Sequence, residues 1–218
     1  MAKIVVAASS LPAGRNMSSQ LDYIKKMQNY GADMYHLDVM DGLFVKYQTV
    51  DYTYLDELKM SSTLLFDVHL MVQYPTKVIS KYAKAGANIL TIHYEAFAND
   101  KLFIKALKKI RHLGMMAGIA IDLDTEIEKI QPFLKHCDLV LVMTVKAGKG
   151  GQGFIESALK KVKTIKKIDK RILVEVDGGI NDVTGAKAVK AGADILVSGS
   201  YIYNNDAYEA IQRLKGKS

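Results

Sequence analysis

The 218 residues are 49% hydrophobic, 24% charged and 8% aromatic, which excludes a disordered chain and suits a globular α/β protein. No apolar run approaches the roughly 18 to 20 residues of a membrane span, and a single cysteine, Cys137, excludes an intrachain disulfide and a multi-cysteine zinc site. The formal charge of +7 gathers in residues 101–111 and 160–171 without aromatic interleaving or a DNA-binding motif, so it reads as solvated helix faces that attract small anions rather than nucleic acid.

The opening segment has one basic residue and too short an apolar run for a signal-peptide core, and residues 4–8 read as a first strand. An amphipathic helix follows at 20–30, then a strand at 34–39 and a weaker helical pattern at 51–59. Strands at 64–68 and 89–92 flank a helix at 76–84. The helix predicted at 102–113 has lysines filling the gaps between Leu102, Ile104 and Leu107. Beyond a strand at 117–121 come a helix at 125–134, a strand at 139–143 and a helix at 154–168, where lysines separate Leu159, Val162 and Ile165. The series closes with a strand at 172–176, a helix at 184–190 and a strand at 195–197.

Eight strands recur at about 27 residues, close to the length of one strand plus a crossover helix, and strict alternation implies parallel strands. Gly31-Ala32-Asp33, Gly86-Ala87-Asn88 and Gly192-Ala193-Asp194 each separate a helical pattern from a strand, where glycine can take the left-handed conformation that ends a helix. No linker or composition break divides the chain. Eight units favour a single-domain (β/α)8 TIM barrel over an open sheet, whose G-x-G-x-x-G fingerprint after the first strand is missing.

In such a barrel the chemistry belongs at the C-terminal strand ends. Ser9 ends the first strand, His36 and Asp38 share one face of the second, and Asp67 and His69 end the third. His93 ends the fourth and Asp177 the seventh, whereas His112 and His136 fall in helical surroundings. Two imidazoles and two carboxylates, His36, Asp38, His69 and Asp177, make a donor set for one divalent ion such as Zn²⁺, Fe²⁺, Co²⁺ or Mn²⁺. Glycine-rich segments after the last three strands, Gly148-Lys149-Gly150-Gly151, Gly178-Gly179 and Gly199-Ser200, offer backbone amides to a phosphate. Met40, Met71 and Met143 end strands two, three and six, a position methionine often fills as irregular packing.

These segments resemble the ribulose-phosphate 3-epimerase family over essentially the whole chain. The likeness is carried by His36-Leu37-Asp38-Val39-Met40-Asp41-Gly42-Leu43-Phe44-Val45, by Asp67-Val68-His69-Leu70-Met71-Val72 with Pro75, and by Thr91-Ile92-His93-Tyr94-Glu95. Met143-Thr144-Val145, Gly150-Gly151-Gln152, Glu175-Val176-Asp177-Gly178-Gly179-Ile180 and Gly192-Ala193-Asp194 add to it. The resemblance implies C3 epimerisation of a 2-ketose phosphate, with Asp38 and Asp177 as opposed acid and base and the metal on the four residues named above. It also implies a substrate-bonding Ser9 and His69, with Met40, Met71 and Met143 lining the site. A cytoplasmic homo-oligomer acting on a small sugar phosphate is the expectation.

Departures fall in the ligand-facing loops. Lys46 stands where the family usually has proline, and Lys146-Ala147-Gly148-Lys149 replaces Glu-Pro-Gly-Phe. Ala8-Ser9-Ser10-Leu11-Pro12-Ala13-Gly14 replaces the usual Pro-Ser-Ile-Leu-Ser-Ala-Asp. Met143-Thr144-Val145 also resembles the related allulose-6-phosphate 3-epimerases, which act on a six-carbon sugar. A non-catalytic sugar-phosphate-binding barrel is the alternative of another class. Barrel decarboxylases and aldol synthases usually carry Asp-x-Lys-x-x-Asp, and His69 occupies the lysine position here.

Overall fold

The computed structural model describes residues 3–148 and 151–217. Eight parallel strands close into a barrel in sequence order: β1 (Val5–Ser9), β2 (Met34–Met40), β3 (Leu65–Met71), β4 (Ile89–His93), β5 (Met116–Ile121), β6 (Leu139–Met143), β7 (Leu173–Asp177) and β8 (Ile195–Ser198). Pairing of β1 with β8 completes the ring, so no strand edge is left open. The outer layer comprises α1 (Met17–Asn29), α2 (Thr53–Ser61), α3 (Ile79–Ala85), α4 (Asp100–His112), α5 (Ile127–Ile130), α6 (Leu159–Ile168), α7 (Asp182–Ala191), α8 (Ser200–Asn204) and α9 (Ala207–Leu214). Among the described residues no helix is long and apolar enough to cross a membrane.

Alternation along each strand sorts the side chains into two cores. Ala7, Met34, Ile89, Ala120, Leu139, Leu141, Ile195 and Val197 fill the barrel interior. A larger cluster, including Leu37, Val68, Leu90, Val140 and Val176, lies between strands and helices. In the β2–β3 register His36 pairs with Asp67, Asp38 with His69 and Met40 with Met71, which puts the chemical residues of two strands side by side. That pairing carries β3 to Met71, beyond the predicted end at residue 68.

The Gly-Ala-Asp repeat has a structural purpose. Asp33 donates its N–H to Val6 O at 2.9 Å, and its side chain accepts the Val6 N–H at 3.0 Å. Asn88 makes the same two bonds with Phe66, Asp138 with Ala117 and Asp194 with Val174. Each even-numbered strand is thereby stitched to the odd-numbered strand before it, at the end opposite the candidate site.

Several predicted elements are corrected. On α4 the buried stripe is Phe103, Ala106, Leu107 and Ile110, and Leu102 is 54% exposed, because the helical period selects residues three and four apart. The helix expected at 125–134 is the short α5 followed by a 3-10 segment, Gln131–His136, whose Pro132 lacks an N–H to continue an α-helix. The first helix starts three residues early because the Asn16 side chain accepts the Ser19 N–H and caps it. After β8, where no helix was predicted, lie α8 and α9; the Asp206 side chain caps α9 by accepting the Glu209 N–H, and Ala210, Ile211 and Leu214 are buried.

Candidate active site

At the C-terminal strand ends is a cavity of ≈ 430 Å³ lined by Ser9, Asp38, Met40, Met71, Met143, Gly148, Gly151, Asp177, Gly178, Gly179, Gly199 and Ser200, all expected from the sequence. Lys149 and Gly150, also expected there, lie outside the described residues. Lys146 is exposed and does not line the cavity; its carbonyl accepts Gln152 Nε2–H at 2.7 Å. Tyr47, Gln48, Thr49, Tyr203 and Asn204, to which the sequence assigns no role, complete much of the wall with Val145 and Ile180, which it names only within the resemblance. Thr49 folds the loop after β2 back, accepting the Met40 N–H at 2.9 Å and donating its hydroxyl to Asp38 O at 2.5 Å.

His36 and His69 are fully buried beneath the cavity. Ligating atoms from His36, Asp38, His69 and Asp177 all lie within 4.8 Å of one another. His36 Nε2 is 3.4 Å from Asp38 Oδ1, and His69 Nδ1 is 3.2 Å from the same oxygen and 3.8 Å from Asp177 Oδ2. Behind His36, its Nδ1 is 2.5 Å from Asp67 Oδ2 and 3.6 Å from Glu175 Oε1. Sequence reading marked Asp67 as a strand-end residue and gave Glu175 no role.

These residues fit a divalent cation. His36 Nε2 is buried and has no hydrogen-bond partner among the described residues. Burial alone would lower the His36 pKa, yet Asp67 and Asp38 push it well above the ordinary histidine value, so its surroundings draw in positive charge. His69 is the reverse: burial, reinforced by His93, lowers it to about 4 and keeps the ring neutral. Two imidazoles and two carboxylates on four converging atoms are a donor set suited to a first-row divalent ion.

The two carboxylates differ. Burial would raise the Asp38 pKa, but His36 and His69 hold it well below the ordinary range, and Ser9 Oγ donates to its Oδ2 at 2.9 Å. Burial and the Asp38 charge raise Asp177 to about 7. These surroundings favour an ionised Asp38 and leave Asp177 able to hold a proton near neutrality.

Toward β7 and β8 the cavity lining includes Gly178, Gly179, Gly199 and Ser200. Gly179 has φ +65°, and a Cβ there would meet Phe154 N at 2.8 Å, so only glycine brings the chain through this turn. Thr184 Oγ1 donates to Gly179 O at 2.8 Å, and Thr144 Oγ1 to Gly178 O at 2.6 Å, fixing the turn from outside. The glycine segments that line the cavity offer backbone amides to an anion.

Residues 5–203 match the model of the ribulose-phosphate 3-epimerase family. The chain is 38% identical to "Ribulose-phosphate 3-epimerase" of Bacillus subtilis, over 98% of this chain and 99% of that protein. It is 36% identical to "Ribulose-5-phosphate-3-epimerase, chloroplastic" of Arabidopsis thaliana, over 97% of this chain and 76% of that one. Among solved structures, 3-keto-L-gulonate-6-phosphate decarboxylase of Vibrio cholerae superposes with a TM-score of 0.72 at 13% identity, covering 99% of this chain and 96% of that one. At that identity the likeness is one of fold.

Proposed function

The chain belongs to the ribulose-phosphate 3-epimerase family, and we propose that it inverts C3 of a 2-ketose phosphate, interconverting D-ribulose 5-phosphate and D-xylulose 5-phosphate. The observation that carries this reading is the pairing of Asp38 with Asp177. They reach one cavity from β2 and β7, strands separated around the barrel by β1 and β8, with pKa values displaced in opposite directions.

The C2 carbonyl acidifies the C3 proton, and inversion requires that proton to leave one face and another to arrive on the opposite face. Asp38, ionised and held by Ser9, takes the proton; Asp177, protonated, supplies one from the other side. Electrons from the broken C3–H bond pass into an enediolate and return to form the new C3–H bond. Asp38 is then protonated and Asp177 ionised, and exchange with solvent restores the starting state. In the reverse direction the roles exchange. Met40, Met71 and Met143 present apolar sulfur to the reacting carbons and limit water. The Gly178, Gly179, Gly199 and Ser200 backbone receives the phosphate. His36, Asp38, His69 and Asp177 would hold a divalent ion, whose positive charge would favour loss of the C3 proton.

His69, in place of the lysine of barrel decarboxylases, supports epimerisation over that chemistry. The test is turnover of D-ribulose 5-phosphate by the purified protein, beside allulose 6-phosphate. Formation of D-xylulose 5-phosphate supports the reading, faster turnover of allulose 6-phosphate moves it to the six-carbon sugar, and no epimer from either sugar refutes it.

A further inference from the structure

A chain of polar groups runs from His69 away from the cavity, fully buried at His69 and His93 and reaching the surface at Glu95. His69 Nε2 is 2.8 Å from His93 Nε2, and His93 Nδ1 is 3.0 Å from Glu95 Oε2. The other Glu95 oxygen accepts the Asp122 N–H at 2.9 Å and the Thr125 hydroxyl. Lys161 on α6 donates to Asp122 O at 2.9 Å and Leu123 O at 2.6 Å, so the β5 loop that holds Glu95 is itself tied down. His93 is fully buried, its ring inclined 28° to that of His69 with the two Nε2 edges facing and centroids 5.0 Å apart, and Phe44 lies 5.0 Å away. None of these groups faces the cavity, and the proton transfer proposed above uses none of them.

We propose that Glu95 and His93 are positioning residues that fix the His69 tautomer, leaving the Nδ1 lone pair free to ligate the divalent ion. A carboxylate already taking two hydrogen bonds on one oxygen offers its other oxygen to His93 only as an acceptor, so His93 Nδ1 carries the proton. The other His93 nitrogen, Nε2, is in this proposal the acceptor of the Nε2–Nε2 pair. At 2.8 Å from that acceptor, His69 Nε2 must donate, and His69 Nδ1 is left as the unprotonated nitrogen facing Asp38 and Asp177. On the other ligating histidine Asp67 does the same task directly, through His36 Nδ1. One ring is thus oriented by a carboxylate alone and the other by a carboxylate acting through a second imidazole.

The proposal rests on the metal-dependent reading of the site, and it is tested without substrate. Zn²⁺-loaded protein labelled with ¹⁵N-histidine should show His69 protonated only on Nε2 and His93 only on Nδ1. His93 protonated on Nε2, alone or with Nδ1, overturns the proposal. In Glu95→Gln the amide oxygen satisfies Asp122 and Thr125 and the NH₂ faces His93, which reverses both tautomers. Zn²⁺ affinity, measured by chelator competition, should then fall by about 10- to 100-fold. His93→Gln keeps an acceptor toward His69 and a donor toward Glu95, and should bind Zn²⁺ within about threefold of the parent, whereas His93→Leu should lose about 10- to 100-fold. Unchanged Zn²⁺ affinity in both Glu95→Gln and His93→Leu refutes the relay. A protein that shows the expected tautomers but epimerises no ketose phosphate would refute the functional reading and leave the relay intact.

Discussion

Asp177 on β7 and Asp38 on β2 face a shared His69 nitrogen, 3.8 and 3.2 Å away, and are displaced in opposite directions from the usual carboxylate pKa. Under the proposed function they would act as an acid and a base aimed at one volume. Replacing either by asparagine removes one proton-transfer group while keeping shape. Each variant should lose about 10²- to 10⁴-fold in epimerisation. In D₂O each should still wash the C3 proton from one of the two epimers, a different one for Asp38→Asn and Asp177→Asn, which mass spectrometry of the recovered sugars resolves.

Asp67 touches no substrate, yet it meets His36 Nδ1 at 2.5 Å and directs Nε2 toward the site. Asp67→Ala should weaken divalent metal binding by about 10- to 100-fold. Removing the ion from the parent protein with a chelator should abolish turnover, and adding back Zn²⁺, Fe²⁺, Co²⁺ or Mn²⁺ should restore it. Full activity in chelated protein, with no metal by elemental analysis, would contradict this role.

The turn at Gly179 tests the phosphate end. Gly179→Ala forces a Cβ against Phe154 N at 2.8 Å in a left-handed backbone, displacing the amides that line the cavity. KM for the sugar phosphate should rise by at least about tenfold, equivalent to about 1.4 kcal/mol, while a dephosphorylated ketose is turned over no worse than by the parent.

Acid sensitivity should arise at the opposite face of the barrel. Burial would raise the Asp33 pKa, but hydrogen bonds from Lys215, the Val6 N–H and Lys3 hold it below the ordinary value. A lowered folded-state pKa stabilises the protein fully above the unfolded value of about 4, and that contribution is lost as pH falls through the folded value. Asp33→Asn keeps the acceptor for Val6 and should lower Tm at pH 7, with the gap to the parent closing on acidification below pH 4. Asp33→Ala should lose about 1 kcal/mol more from the orphaned N–H, at all pH values.

How far the sequence carried depended on whether a signal was local. Period-two alternation places His36, Asp38 and Met40 on one face of β2, and the β2–β3 register brings His69 and Met71 beside them. The Gly-Ala-Asp repeat was visible three times; its fourth member, Asp138, was hidden because His136-Cys137 replaces Gly-Ala while the side chain still accepts the Ala117 N–H. His93 was noted at a strand end, but its contact with His69 spans 24 residues, and Glu95 with Thr125 spans 30. Such pairs exist only once neighbouring strands are side by side. Helix α9 has a local signal as well, Asp206 three residues before Glu209 and an apolar stripe at Ala210, Ile211 and Leu214.

Isotope content at C3 during the first few per cent of conversion tests the account most directly. D-ribulose 5-phosphate turned over in D₂O should give D-xylulose 5-phosphate carrying solvent deuterium at C3, while the remaining substrate keeps its protium, because one carboxylate removes the proton and another delivers. Product that retains the original protium at C3, or a sugar recovered with neither epimer nor deuterium, would contradict two opposed carboxylates at this site.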